Sequence, residues 1–125
     1  MASIKSKNTL LEKGVFRALR KNGIYFQKHY KKALGTPDLA VPSKKIAVFI
    51  DGDFWHGYRY TQWKPRLKNK FWTGKIERNM SRDKKYRDSL KRQGWKVLRV
   101  WEHEIKKYPR KTIGRVVKIL QQYAN

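Results

Sequence analysis

Five consecutive apolar residues, Ile46-Ala47-Val48-Phe49-Ile50, run directly into Asp51-Gly52-Asp53 in a chain of which 33% of residues are charged. A run of that length, bounded by the basic turn Ser43-Lys44-Lys45 and by an Asp-Gly dipeptide, reads as a strand buried on both faces. A strand of that kind needs neighbours on both edges and helices on both sides. It also delivers carboxylates to its own end. In this chain that is unusual, because nine acidic residues stand against 32 Lys and Arg, for a formal net charge of +23.

The remaining pattern supplies the flanking elements. Asn8 or Thr9 is expected to cap a helix running to about Asn22, where Gly23 supplies the stop, with Leu11, Val15, Ala18 and Leu19 on one face. A short strand is expected near Tyr25 to His29. Gly35-Thr36-Pro37 forms a turn, and Asp38 begins an extended piece ended by Pro42. From Gly52 to about Lys70 the chain is aromatic and basic without a period, and loops of that length in compact domains are usually functional. A second helix is expected from about Phe71 to Gln93, where Trp72, Ile76, Asn79, Asp83, Tyr86 and Leu90 form one stripe. Trp95 to Trp101 reads as a strand, and Pro109 opens a last helix carrying Ile113, Val116, Val117 and Leu120. The order α-β-β-β-α-β-α describes an α/β fold, a mixed sheet flanked by helices. A length of 125 residues fits one domain over 1–125.

A surface this basic is the electrostatic footprint of a polyanion binder. No apolar stretch approaches the length of a membrane span, and the lysines of Met1 to Asn8 have no apolar segment behind them as a secretory signal would. The absence of cysteine excludes disulfides and thiolate zinc sites. A cytoplasmic protein facing nucleic acid is the expectation. Of five tryptophans, Trp95 and Trp101 are assigned to packing, and the others are available to stack on bases.

The carboxylates point further. Asp38 opens one strand and Asp51 closes the next, so an antiparallel turn brings them together. Together with a backbone carbonyl, this suits Mg²⁺, which also keeps room for water and phosphate oxygens. Pro-Asp and Asp-Gly are equally ordinary turn dipeptides, so both readings stand at this point. Glu12 borders the inward stripe of the first helix, and Asp83 lies within the stripe of the second. Inward carboxylates are costly unless paired with a base or a metal. His56, five residues after Asp51, can exchange a proton near neutral pH. His29, among lysines, is assigned to the surface. His103, between Glu102 and Glu104, is assigned to a solvated strand end, with a second weak metal cluster as the alternative.

Several segments resemble the very-short-patch-repair (Vsr) endonucleases. They are Ser6-Lys7-Asn8-Thr9 followed by Glu12, Gly35-Thr36-Pro37-Asp38-Leu39, and Val48-Phe49-Ile50-Asp51-Gly52-Asp53-Phe54-Trp55-His56-Gly57. The series continues through Phe71-Trp72, Lys75-Ile76, Arg78-Asn79 and Arg82-Asp83, then Gly94-Trp95-Lys96-Val97-Leu98-Arg99-Val100-Trp101-Glu102. The resemblance covers nearly the whole chain and implies a PD-(D/E)XK-type αβββαβα core. It also implies Mg²⁺-dependent, or Mn²⁺-dependent, nicking of double-stranded DNA beside a T:G mismatch. Carried across, Asp38, Asp51 and the Ile50 carbonyl hold the metal, His56 is the catalytic histidine, and Glu12 and Asp83 hold metal-bound waters. Phe54, Trp55 and Trp72 wedge into the base stack, while Lys75, Arg78, Asn79 and Arg82 lie on the DNA-binding segment. Family members commonly carry a structural zinc; here Asp53 and His103 stand among the matching positions without cysteine, so no structural zinc is expected. Tyr58 to Asn69 departs from the family pattern and is assigned to reading a different target. The chain is expected to work as a monomer.

Readings that compete with nicking are a homing or mobile-element nuclease domain, a non-catalytic nucleic-acid-binding protein, and a ribosome-associated RNA binder.

Overall fold

The structure is a computed structural model that describes residues 2–67 and 69–122, with side chains from residue 10 onward in those ranges. Helix α1 (Ala2–Lys21) leads into strands β1 (Gln27–Lys28), β2 (Leu39–Val41) and β3 (Ile46–Asp51). A one-turn helix α2 (Tyr60–Trp63) and a 3-10 turn (Lys64–Arg66) precede the long α3 (Lys70–Arg92). Strand β4 (Lys96–Trp101), the short α4 (Glu102–Lys107) and α5 (Pro109–Gln122) follow.

The sheet runs β1-β2-β3-β4. The first two pairings are antiparallel, and β3 pairs with β4 in parallel from Ile46 opposite Lys96 to Asp51 opposite Trp101. Strand β3 is therefore central, as its apolar run requires. Its side chains alternate between two cores. Ile46, Val48 and Ile50 pack with Val15, Phe16 and Leu19 of α1 and with Val116 and Leu120 of α5. Ala47, with Phe49 beside it, packs against Ala33 and against Leu90 of α3. Asp51 is in phase with Ala47 and Phe49, which puts it on the α3 side. This mixed α/β layering agrees with the expected PD-(D/E)XK-type core. Among the described residues, no helix is long and apolar enough to cross a membrane.

Four boundaries differ from the expectations. Helix α1 begins at Ala2, well before the expected caps, because no Gly or Pro interrupts residues 2–9. The Asn8 and Thr9 backbone lies inside α1, and their side chains lie outside the described residues. The expected strand near Tyr25–His29 shortens to Gln27–Lys28, since only those residues face β2. The aromatic loop contains α2 and the 3-10 turn. There the Tyr60 hydroxyl donates to Glu77 at 2.7 Å, and Lys64 pairs with the same carboxylate at 2.9 Å. The segment assigned to a strand end after Trp101 is helix α4, whose first turn is closed by Glu104 accepting from the Trp101 N–H at 3.0 Å.

Leu19 is fully buried in the larger core, on the helix that also presents Glu12 to the sheet. Leu19→Ala is expected to lower unfolding free energy by about 2–5 kcal/mol through lost burial and a residual cavity. Urea denaturation measures this, and a loss near zero would show that α1 does not cover the sheet as described.

Candidate active site

Asp38 sits immediately before β2, next to the last turns of β3, because Leu39 lies opposite Val48. There the Ile50 N–H donates to Asp38 Oδ2 at 2.5 Å, which fixes the carboxylate at the strand end. Glu12 arrives from α1, only 7% exposed. Its carboxylate accepts a hydrogen bond from the Asp38 carboxyl. Burial first, then this bond and the charges of Glu12 and Asp51, push the Asp38 pKa up to about 9, against the lowering effect of the Ile50 N–H.

His29 completes this group, with Nε2 lying 3.0 Å from Glu12 Oε2. One donor atom each from Glu12, His29 and Asp38 lie within 4.8 Å of one another. His29 lies at the surface as expected, its side chain half exposed, but its Nε2 turns toward Glu12, a contact the sequence reading did not assign. The signal lay in pairing, since β1 beside β2 sets Lys28 opposite Leu39 and brings the His29 N–H to the Asp38 carbonyl at 2.8 Å.

A second group adjoins the first on the α3 side. Asp51, 5% exposed, accepts a short hydrogen bond from Arg99 Nε, and its other oxygen lies 3.7 Å from His56 Nε2. Asp83 projects from the α3 stripe, and its Oδ2 lies 2.5 Å from His56 Nδ1. Burial works to raise the Asp83 pKa, but the hydrogen bond and charge of His56, with Arg82 at 3.2 Å, bring it below the ordinary value. The imidazole is thus gripped at Nδ1, and Nε2 faces Asp51. Asp38, Ile50, Asp51, His56, Arg82, Asp83 and Arg87 line one cleft of about 170 Å³. Burial, and then the charge of Arg99, lower the pKa of Arg87. A guanidinium held under that pressure is relieved by an anion entering the cleft.

A buried acid cluster, an oriented histidine and arginines on one rim form the constellation of phosphodiester hydrolysis, and comparison with known proteins agrees. The family model described as DNA mismatch endonuclease Vsr matches residues 1–62. A type II nicking enzyme of Haemophilus parainfluenzae, V.HpaIIP, is 42% identical over 112 residues, covering 88% of this chain and 79% of that protein. V.NmeDIP of Neisseria meningitidis serogroup C, also a type II nicking enzyme, is 40% identical over 109 residues, 86% of this chain and 74% of its own. The DNA mismatch endonuclease Vsr of Escherichia coli (strain K12) is 33% identical over 103 residues, 82% of this chain and 66% of its own. The chain belongs to the Vsr endonuclease family.

In this Vsr-family enzyme the aromatic residues form a continuous ridge beside the cleft. Phe54 stacks on Trp63 at 5.3 Å and meets Trp55 edge-on at 4.8 Å. Trp55 meets Trp72 at 5.2 Å, and Trp72 meets the exposed Phe71 at 5.1 Å. Trp63, within the aromatic segment, and Phe71, in the first turn of α3, are not among the wedge residues expected from sequence. Lys75 places its ammonium over the Trp55 ring at 5.4 Å. Asn79 donates to the Trp55 carbonyl at 3.1 Å, so its amide fastens the ridge to α3. Arg78 is exposed one turn beyond Gly74 on α3.

Asp53 and His103 meet directly, Oδ1 to Nδ1 at 2.9 Å, with Tyr58 packed on the His103 ring at 4.1 Å. Glu102 accepts from the Asp53 N–H at 3.2 Å, while Glu104 turns to Arg115 at 3.1 Å. The two carboxylates beside His103 thus serve different partners, and the alternative of a metal cluster there is withdrawn. The Asp53–His103 contact ties the His56 loop to α4.

That loop turns at Gly57, whose φ of +75° disfavours side chains and where an added Cβ would lie 2.3 Å from Met80 Sδ. Gly57→Ala is expected to cost more than about 1 kcal/mol of stability. It should also slow DNA cleavage by displacing His56. Urea denaturation paired with nicking rates checks this, and an unchanged rate would show that the turn does not position His56.

Proposed function

We propose that this enzyme cleaves one strand of duplex DNA by metal-assisted phosphodiester hydrolysis, with a T:G mismatch as the preferred target. The convergence of Asp38, Asp51 and His56 on one cleft is the observation that carries the reading. The donor set fits a divalent cation: Asp38 and Asp51 are inward carboxylates, and burial first, then Glu12 and the charge of Asp51, raise the Asp38 pKa. Asp38, Asp51 and the Ile50 carbonyl would hold Mg²⁺ or Mn²⁺, with Glu12 and Asp83 beside them. When bound, the ion supplies Lewis-acid polarisation of the phosphate and stabilises charge on the departing oxygen.

The protein groups account for the remaining steps. His56, held at Nδ1 by Asp83, keeps Nε2 toward the cleft, where it takes a proton from the attacking water. Asp51 lies 3.7 Å from that nitrogen and steadies the positive charge the imidazole then acquires. Arg82 and Arg87 border the phosphate position and bind its oxygens. Phe54, Trp55, Trp72 and Phe71 insert at the distorted step, where unpaired or mispaired bases separate at least cost. Lys75, Arg78 and the basic face of α3 supply sequence-independent phosphate contacts. The work is assigned to a single cytoplasmic domain over residues 1–125, acting as a monomer.

His56→Ala is expected to lower the single-turnover nicking rate by about 10²–10⁴-fold. Duplex affinity should stay the same, as read by fluorescence anisotropy. A matched loss of affinity would assign His56 to binding.

Asp38→Ala is expected to abolish nicking of supercoiled plasmid and of a T:G duplex. It should also remove the rise in melting temperature that Mg²⁺ gives the wild type, about 2.7 kcal/mol of stabilisation at a hundredfold excess over Kd. Nicking that survives this change would reject Asp38 as the residue that holds the ion, and a wild type that does not nick would leave a passive DNA binder.

A further inference from the structure

We propose that His29 is a further donor to the cation held at Asp38, and that it turns the site toward first-row transition ions over Mg²⁺. This rests on the reading of Asp38 as a cation ligand, and it adds an identity for the ion that the carboxylates alone do not select.

The geometry is that of a shared ligand set. An ion with donors about 2.0–2.3 Å away places opposite donors about 4–4.6 Å apart. The donor atoms of Glu12, His29 and Asp38 all lie within 4.8 Å of one another. Three separate elements supply them: α1, the end of β1, and the start of β2. The ring of His29 is held on two sides. Its backbone N–H donates to the carbonyl of Asp38 at 2.8 Å, so the two ligand-bearing residues are fixed to one another. Its ring meets Phe16 edge-on, with centroids 5.9 Å apart. Side-chain exposure of 52% leaves the imidazole open to ions arriving from solvent.

The backbone of His29 adopts a left-handed φ of +46°, a conformation that costs a non-glycine residue energy. An ordinary counter-ion for Glu12 needs no such placement, since a lysine or arginine would reach from any nearby position.

The chemical consequence follows from ligand type. Carboxylates and carbonyls suit Mg²⁺, whereas an imidazole nitrogen in the set favours ions later in the first transition row. A site made of Glu12, Asp38 and His29 therefore discriminates by donor softness as well as by charge.

The test titrates the full-length protein with Co²⁺ and, separately, with Mg²⁺ by calorimetry, in wild type, His29→Asn and Asp38→Ala. Asparagine tolerates the left-handed backbone and removes the imidazole, so the fold is kept while the donor is lost. His29→Asn is expected to weaken Co²⁺ at least about tenfold more than it weakens Mg²⁺. The visible absorption of bound Co²⁺ should change in step. Equal weakening of both ions, or of neither, overturns the proposal. A lower melting temperature without metal, at an unaltered Co²⁺-to-Mg²⁺ preference, identifies a structural ion pair and overturns it as well. Asp38→Ala separates the two levels: loss of both ions there alongside an unaffected His29→Asn rejects only the role of His29. Retention of both ions by Asp38→Ala rejects the cation site together with this inference.

Discussion

The rest of the molecule is organised around electrostatic crowding at one end of the sheet. Glu12 meets Asp38 there with Asp51 close enough to act on it by charge, and burial, foremost, raises the Asp38 pKa well above that of a solvated carboxyl. A protein with 32 basic residues could have paired each of these acids with a lysine or arginine. Among the contacts described, Arg99 takes one oxygen of Asp51, but Asp38 bonds only a backbone N–H and another acid. Folding bears that cost because strong packing surrounds it. The core of α1, β3 and α5 closes immediately beneath Glu12, and β3 holds Asp51 in register with β4. Active sites are where such perturbed groups concentrate, since the strain is relieved by the ligand.

The opposite charge is arranged with equal economy. Burial and then the charge of Arg99 disfavour the charged form of Arg87, and Arg99 lies over the Trp101 ring at 4.0 Å. A phosphate entering between the acid cluster and these guanidinium groups answers the unmet demand of the arginines, while a cation answers that of the acids. In the proposed chemistry substrate and ion would thus be favoured together, each reducing the repulsion the other would meet alone. The net charge of +23 adds a long-range attraction that screens with salt but has no part in this local balance.

Much of this was legible in the sequence where periodicity and punctuation decide structure. The apolar run Ile46–Ile50 demanded a central strand and has two neighbours. The 4-3-4-3-4 spacing from Trp72 to Leu90 traced the inward stripe of α3, Asp83 included. Elements stabilised by specific tertiary partners were not legible. Helix α4 is too short for a period, and it closes because the Glu104 carboxylate reaches the Trp101 N–H. Helix α2 is one turn, anchored by Tyr60 and Lys64 on Glu77. His29 looked like one more polar residue in a basic stretch, because its partner Glu12 lies 17 positions away. Arg99 sits inside a strand pattern, and nothing local announces that it will reach Asp51, 48 residues earlier.

His56 shows why the two groups of acids must differ in kind. A proton acceptor needs an imidazole whose orientation is settled before the substrate arrives, and Asp83 provides this from a rigid helix at 2.5 Å. Were Asp83 to lean toward Asp38 instead, it would add a further negative charge where two already repel, and His56 would lose its grip at Nδ1. The separation is enforced by topology. The pleat of β3 sends Ile50 toward α1 and Asp51 toward α3, so the strand end divides the acids between the Glu12–Asp38 cluster, proposed to hold a cation, and Asp51 and Asp83 on either side of His56. A single residue step along one strand therefore sends neighbouring residues to opposite faces of the sheet, which keeps the two groups of acids apart.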